Sequence, residues 1–197
     1  MKISSYTGGF VETNGYLIET PEGNLLIDAP AGIRQWLKDR GVRVDHLLLT
    51  HQHYDHVEDV SALQADGVKV HAFAPYSKTL TLENLGLPLS VKPYTVDSIF
   101  DLSQPLALAG RTIRLAHVPG HSTDSVTFYF PENALLFSGD TIFAGSIGRS
   151  DLPGGSTKQL LDGIAEKLLV LPGMTQVFPG HGPSTTIDSE IRENPFL

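Results

Sequence analysis

Thr50-His51-Gln52-His53-Tyr54-Asp55-His56 is the most informative stretch of this chain, and it follows directly on the apolar run Leu47-Leu48-Leu49. It holds three imidazoles and one carboxylate within six consecutive positions. Imidazole nitrogen and carboxylate oxygen are ligand atoms that suit zinc, iron and manganese. Side chains alternate along an extended backbone, so His51 and His53 are expected to point to the same side. Asp55 and His56 follow where a helix is predicted to begin, and their different direction favours two adjacent metal ions over one.

Length and composition indicate one soluble globular domain. The chain has 197 residues, of which 41% are hydrophobic and 18% are charged, as is typical of soluble proteins. Neither a linker rich in proline, glycine or serine nor an internal repeat divides it, so we expect a single domain over residues 1–197. The sequence has no run of about 18 apolar residues that would predict a membrane span. The first residues lack the apolar region of a signal peptide, which makes the cytoplasm the expected location.

The absence of cysteine and the acidic balance exclude several kinds of chemistry. The chain has no cysteine, so disulfides, thiol nucleophiles, thiolate ligands and iron–sulfur clusters are excluded together. The formal net charge is −8, which argues against nucleic acid as a general partner. A small-molecule substrate is the expected partner, and the sequence leaves the oligomeric state open.

Hydrophobic periodicity predicts a mixture of strands and helices. Strands are predicted at 16–19, 24–28, 44–49, 68–73, 103–109, 111–117, 124–130, 134–138 and 175–178. Helices are predicted at 31–40, 57–66, 75–85, 156–170 and 184–193. Antiparallel hairpins mixed with strand–helix–strand units indicate helices packed outside stacked sheets. The pattern therefore favours an α/β sandwich over a barrel or a single doubly wound sheet.

Three further residues that can bind metal stand in loops after predicted strands. His121 follows Pro119-Gly120, Asp140 follows Ser138-Gly139, and His181 follows Pro179-Gly180. Each has a glycine beside it, where the backbone can approach a bound ion closely. Loops at strand ends are the usual location of site residues.

Four motifs, in their order along the chain, resemble those of the metallo-β-lactamase fold superfamily. They are the stretch His51–His56, Gly120-His121, Gly139-Asp140-Thr141 and Gly180-His181-Gly182. The resemblance extends over nearly the whole chain, to about Pro195. It implies an α/β fold of the αββα four-layer sandwich type. It also implies two divalent metal ions, zinc or else iron or manganese, ~3.5–4 Å apart. The implied ligands of the first ion are His51, His53 and His121; those of the second are Asp55, His56 and His181; Asp140 bridges the two.

The implied metal centre predicts hydrolysis of a carbonyl compound. Five of the seven ligands are neutral imidazoles, so two divalent ions would leave the pocket positive and attractive to an anionic substrate. Metal binding lowers the pKa of water toward about 7 and supplies hydroxide at neutral pH. The hydroxide would attack the carbonyl carbon, and an ion would stabilise the oxyanion. Asp55 and Asp140 would act as catalytic residues that position this hydroxide.

Asp140 indicates the branch of the superfamily. Zinc β-lactamases with two metals usually carry cysteine at this position, whereas aspartate resembles the glyoxalase II branch, the hydroxyacylglutathione hydrolases. Gly148-Arg149 and the tail with Glu190 and Asn194-Pro195-Phe196 resemble short bacterial members of that branch. We therefore expect hydrolysis of an anionic thioester such as S-D-lactoylglutathione. The additional C-terminal helical domain of longer glyoxalase II enzymes, which supplies much of their glutathione site, is not expected.

Other functions remain open at this stage. A mononuclear iron persulfide dioxygenase of the same superfamily would use His51, His121 and Asp140 as its metal ligands. Another ester or lactone hydrolase is a further alternative. An RNA-processing relative ranks lower, because such enzymes carry an inserted domain for which this chain has no room.

Two residues are candidates for substrate binding. Arg149 could bind a substrate carboxylate or support Asp140, or it could form a surface contact with a neighbouring aspartate. Tyr54 could line the pocket or pack in the core. The other histidines are expected to be structural. His46 is expected to face solvent and His71 to be hydrogen-bonded in a strand, while His117 is expected to contact the metal ligands at most through a hydrogen bond.

Overall fold

The computed structural model describes residues 1–85 and 90–197. The chain forms two compact units, Met1–Phe100 and Asp101–Leu197. Each unit contains one six-stranded sheet. None of the helices within the described ranges combines the length and the apolar character needed to cross a membrane.

The first unit has a mixed sheet with the strands in sequence order. The strands are β1 (Lys2–Gly8), β2 (Thr13–Thr20), β3 (Gly23–Ile27), β4 (His46–Leu48), β5 (Lys69–Ala72) and β6 (Ser98–Ile99). The first three strands are antiparallel, and β3 to β6 are parallel. Thr20 pairs with Gly23, so Pro21-Glu22 forms the hairpin turn between β2 and β3. Parallel strands need a crossover, and helices supply it between β3 and β4 and between β4 and β5.

The helices of the first unit are α1 (Ile33–Asp39), α2 (Tyr54–Val57) and α3 (Val60–Ala65), with a 3₁₀ turn at Glu83–Leu85. They cover the sheet through a core of buried aliphatic side chains that includes Leu17, Leu26, Leu47, Ile33 and Val60. The turn between β3 and α1 and the loop between β4 and α2 are therefore anchored at both ends. These two connections and the start of α2 carry most of the candidate site residues of this unit.

The second unit has a sheet in the order β14-β13-β10-β9-β8-β7. Its strands are β7 (Leu106–Leu108), β8 (Arg111–His117), β9 (Val126–Phe130), β10 (Leu135–Gly139), β13 (Gln176–Pro179) and β14 (Thr185–Thr186). Strands β10 and β13 are parallel, and the other neighbours are antiparallel. A separate small hairpin consists of β11 (Ile142–Phe143) and β12 (Ser146–Ile147).

Two helices complete the second unit. Helix α4 (Thr157–Gly163) continues into a π-helical turn at Ile164–Leu168, and α5 (Ile187–Glu193) follows β14. Ser156 and Thr186 cap the two helices by accepting hydrogen bonds from the amides of Gln159 and Ser189. The apolar stripe of α4 and its π-helical turn consists of Leu160, Ile164 and Leu168. It packs into a core with Leu136 of β10, Val177 of β13 and Val118, directly after β8.

Candidate metal centre

The loop after β4 brings four candidate ligands together in the first unit. His51 and His53 point to one side of an extended backbone, as predicted, with ring centroids 4.6 Å apart. Asp55 and His56 lie in α2, and the rings of His51 and His56 are 4.1 Å apart. Potential ligand atoms lie within 4.8 Å of each other in the pairs His51–His53, His51–His56 and Asp55–His56. All four residues are buried.

Asp28, directly after β3, orients two of these histidines. Its carboxylate accepts hydrogen bonds from the Thr50 amide at 2.8 Å, the Thr50 hydroxyl at 2.7 Å and Nδ1 of His56 at 2.8 Å. Because the Thr50 hydroxyl donates to Asp28, its oxygen accepts from Nδ1 of His51 at 3.1 Å. Both rings therefore carry their proton on Nδ1. Their Nε2 atoms are the basic nitrogens that a metal ion can bind.

Thr13, the first residue of β2, holds the carboxylate of Asp55. Its hydroxyl donates to Oδ2 of Asp55 at 2.6 Å, and its side chain is fully buried. This bond crosses 42 positions of sequence. It sets the rotation of the carboxylate before any ion binds.

Gln52 points away from its two histidine neighbours and anchors the loop on the other side. Its side-chain amide donates to the carbonyl of Ala74 at 2.9 Å and accepts from the hydroxyl of Tyr94 at 2.8 Å. Because Gln52 is held in this way, the alternation of the extended backbone fixes the direction of His51 and His53.

Three candidate ligands lie together in the second unit. Asp140 follows β10, His181 follows β13, and His121 follows β8 in a loop. Oδ2 of Asp140 lies 3.4 Å from Nε2 of His121 and 3.3 Å from Nε2 of His181. Strands β10 and β13 are parallel neighbours, so their carboxyl ends place Asp140 and His181 side by side.

The backbone of Arg149 orients His121. Nδ1 of His121 donates to the carbonyl of Arg149 at 2.8 Å, which leaves Nε2 as the basic nitrogen. Gly148 makes this approach sterically feasible. A Cβ atom at Gly148 would lie 1.9 Å from the carbonyl oxygen of Asp140 and 3.2 Å from Cβ of His121.

The spacing within each unit fits a metal ion. Two ligand atoms that each lie about 2.1 Å from one ion at a tetrahedral angle are ~3.4 Å apart. Oδ2 of Asp55 lies 3.4 Å from Nε2 of His56, and the distances from Asp140 to His121 and His181 are 3.4 and 3.3 Å. The donor set is imidazole and carboxylate throughout, as zinc, iron and manganese accept.

The structure thus places His51, His53, Asp55 and His56 together in the first unit, and His121, Asp140 and His181 together in the second. Their assignment as ligands, and that of Asp55 and Asp140 as catalytic residues, stay predictions. The guanidinium of Arg149 forms an exposed pair with Asp151 at 2.7 and 2.8 Å, so its backbone rather than its side chain touches a site residue. Tyr54 is half-buried and packs against the core of the first unit. Substrate binding by Arg149 and Tyr54 stays a prediction.

The remaining histidines are structural, as expected, with one correction. His71 is buried and hydrogen-bonded as predicted, but its partner is Nδ1 of His46 at 2.9 Å. His46 is therefore half-buried on β4 and bonded to His71, rather than turned wholly to solvent. Nε2 of His117 donates to the carbonyl of Thr123 at 2.8 Å and so closes the loop that carries His121.

Sequence reasoning did not single out Asp28 or Thr13. Asp28 had a recognisable signal, because it is an acidic residue at the end of the apolar run Leu25-Leu26-Ile27, where parallel strands present site residues. In the structure, Asp28 also has a backbone φ of 58°, which is unusual for a residue other than glycine. Thr13 had none, since its role depends on a partner that lies far along the chain.

Comparisons with known proteins show the family of the chain. The family model of the metallo-β-lactamase superfamily matches residues 8–181. The hydroxyacylglutathione hydrolase GloC of Haemophilus influenzae is 34% identical over 198 residues, which cover 94% of this chain and 93% of GloC.

Two solved structures are similar over nearly the full chain. The BLEG-1 B3 metallo-β-lactamase has a TM-score of 0.91 and 33% identity, and the alignment covers 100% of this chain and 99% of that one. TTHA1623 in a di-iron-bound form has a TM-score of 0.84 and 38% identity, with 98% and 100% covered. The predicted α/β fold of the metallo-β-lactamase type is thereby confirmed. The chain belongs to the metallo-β-lactamase superfamily.

Proposed function

We propose that this metallo-hydrolase uses two divalent metal ions to hydrolyse thioesters of the S-D-lactoylglutathione type. In this proposal His51, His53 and His121 bind one ion, Asp55, His56 and His181 bind the other, and Asp140 bridges them. Zinc is the proposed metal. The di-iron form of TTHA1623 supports the number two and makes iron the principal alternative, and manganese is compatible with the same ligands.

The orientation of the imidazole rings is the observation that carries the proposal. In His51, His56 and His121, Nδ1 donates a hydrogen bond, to Thr50, Asp28 and Arg149 respectively. Neutral imidazoles with a fixed tautomer are the form in which histidine binds metal. A set of rings that served only as buried polar groups would have no need of a shared tautomer.

Bound ions of this kind lower the pKa of a coordinated water toward about 7 and polarise a carbonyl group. Side chains of the protein would orient the attacking water. The carboxylates of Asp55 and Asp140 would accept hydrogen bonds from the attacking water and orient it, and Thr13 holds Asp55 for this purpose. Water adds across the acyl–sulfur bond, so the products are a hydroxy acid and a thiol.

The choice of a thioester rests on sequence rather than on pocket geometry. Asp140 stands where two-metal β-lactamases usually carry cysteine, and GloC, named a hydroxyacylglutathione hydrolase, is 34% identical to this chain. The chain also has no cysteine, so an acyl-enzyme intermediate on a cysteine thiol is excluded. Direct attack by water is then the simplest route.

Metal quantification coupled to turnover tests the proposal. Purified protein should carry two metal ions per chain and hydrolyse S-D-lactoylglutathione. Asp140→Ala should lose at least about 100-fold in kcat/KM, because it removes a bridging ligand. The control Asp162→Ala changes an exposed aspartate of the same unit, which pairs with Lys158, and should behave like the wild type.

The same experiment includes the outcomes that would contradict the proposal. Hydrolysis of a β-lactam without thioester turnover would replace the proposed substrate. One iron per chain with oxygen uptake on glutathione persulfide would replace hydrolysis by a dioxygenase reaction. Metal-free protein with full activity would refute the metal centre itself.

A further inference from the structure

The hairpin β11–β12 contacts or adjoins each candidate ligand of the second unit. Asp140 lies two residues before the hairpin, and Arg149, whose carbonyl accepts from Nδ1 of His121, lies two residues after it. Phe143, in β11, packs edge-to-face against His181 with ring centroids 6.2 Å apart. The path of this short segment therefore affects the orientation of Asp140, His121 and His181 together.

Glu190, on α5, holds the turn of this hairpin. Its side chain is only 3% exposed. One carboxylate oxygen accepts from the amide of Gly145 at 2.9 Å and from the side-chain amide of Asn194 at 2.8 Å. The other accepts from the hydroxyl of Thr185 at 2.6 Å. A buried carboxylate is costly to desolvate unless donors surround it, and here one of the three donors is the hairpin itself.

Asn194, directly after α5, completes the attachment. Its side-chain amide donates to the carbonyl of Ser146 at 2.9 Å as well as to Glu190. The two residues thus bind an N–H group and a C=O group of consecutive hairpin residues, Gly145 and Ser146. Two bonds of opposite polarity, one on each side of the Gly145–Ser146 peptide, fix both the position and the rotation of the backbone there.

We propose that Glu190 and Asn194 are positioning residues that set the orientation of His121 through the β11–β12 hairpin. Beyond the turn, the amide of Gly148 donates to the carbonyl of Thr141 at 3.1 Å, which keeps the two sides of the hairpin together. The carbonyl of Arg149 follows one residue later. A shift of the turn would move this carbonyl away from Nδ1 of His121 and release the ring to rotate or change tautomer. The inference rests on the proposed function only where it treats His121 as a ligand.

The test compares Glu190→Gln and Asn194→Ala with the control Glu193→Gln. Glu193 is an exposed residue of the same helix, so its variant makes the same charge change without touching the hairpin. Three quantities are measured on each variant: the ¹⁵N signals of the His121 ring in metal-free protein, hydrogen exchange at the Gly148 amide, and metal affinity against a competing chelator.

We expect both test variants to shift the His121 ring signals away from the pattern of a single Nδ1–H tautomer. Exchange at Gly148 should become faster and metal affinity should fall about tenfold, within the range known for outer groups that orient ligands. Glu193→Gln should match the wild type in all three. Asn194→Ala keeps the carboxylate of Glu190, so it tests the proposal even if Glu190→Gln does not fold.

Unchanged His121 signals in a folded Asn194→Ala or Glu190→Gln protein would overturn the inference, even if Gly148 exchanges faster. A wild type that binds no metal would instead contradict the proposed function. The ring signals of the metal-free protein would still decide the role of Glu190 and Asn194 in that case.

Discussion

At the scale of single residues, the most influential position is one that binds no metal in the proposed centre. Asp28 accepts three hydrogen bonds, two of them from Thr50 and one from His56. Through the Thr50 hydroxyl it also sets the tautomer of His51. One carboxylate therefore determines which nitrogen two separate rings present.

Asp28→Asn tests this role. An amide group would turn a donor toward at least one of the three donors that now face the carboxylate, so either the Thr50 backbone loses its acceptor or the tautomer of a ring changes. We expect metal affinity, measured by competition with a chelator, to fall about 10–100-fold. Asp39→Asn, at an exposed aspartate of α1 that bonds to Gln35, is the matched control. Equal affinity in the two variants would show that Asp28 does not orient the ligands.

Thr13→Val tests whether the hydroxyl of Thr13 orients Asp55. The substitution keeps the shape of the side chain and removes the donor to Oδ2 of Asp55, leaving that carboxylate free to rotate. We expect weaker binding of one metal ion by about tenfold. Thr7→Val removes a comparable hydroxyl bond, to Asn14 on the same strand pair, and should leave metal binding unchanged. Similar losses in both variants would point to a general effect on the hairpin.

At the scale of elements, predictions succeeded where burial dominates and failed where local side-chain bonds dominate. Strands β2, β3, β8 and β9 lie within a few residues of their predicted ranges. Strand β1 was not predicted, because Lys2–Gly8 has no apolar alternation and buries none of its side chains fully.

The helix predicted at 75–85 was wrong apart from the 3₁₀ turn at its end. Glu83 instead accepts hydrogen bonds from the hydroxyls of Tyr76 and Thr81. Leu82 has a φ of 62°, which a right-handed helix does not allow. Polar side chains that bond to one another and to the nearby backbone compete with helix formation in this way.

Gly148→Ala tests the steric argument at the end of the β11–β12 hairpin. A Cβ atom there would lie 1.9 Å from the carbonyl oxygen of Asp140, so the backbone must move. We expect this variant to lose about 2 kcal/mol or more of unfolding free energy beyond Gly145→Ala, as measured with urea. Gly145 has open space at its Cβ position, and its φ of 69° gives Gly145→Ala a backbone cost that Gly148→Ala does not carry, so a larger loss at Gly148 comes from the close approach. Equal losses would show that the close approach at Gly148 is not required.

At the scale of the whole molecule, one pair of histidines links global stability to pH. His46 and His71 lie on the neighbouring strands β4 and β5 and share a hydrogen bond of 2.9 Å. One ring donates and the other accepts, so the pair cannot hold a proton on every nitrogen. Burial, and next the charge of His46, lower the pKa of His71 from 6.5 to about 4.

This shift predicts that acid weakens the fold. The unfolded chain takes up a proton on His71 near pH 6.5, while the folded chain does so only near pH 4. The contribution to stability is therefore complete above pH 6.5 and is lost as the pH falls from 6.5 toward 4. Urea unfolding of wild type and His71→Gln in excess chelator should show a stability difference that is larger at pH 7.5 than at pH 4.5. A difference independent of pH would contradict this.

The sequence by itself determined the kind of chemistry: the stretch His51–His56, the later His121, Asp140 and His181, and the absence of cysteine identify the superfamily and the donor atoms. These are properties of residue type and order, which the chain carries before it folds. Tertiary structure decided which groups hold those donors. Thr13 reaches Asp55 across 42 positions, and Arg149 reaches His121 through its backbone carbonyl across 28. Such hydrogen bonds depend on distances that only folding sets. Every residue has a backbone carbonyl, so residue type does not reveal which carbonyl will accept a bond.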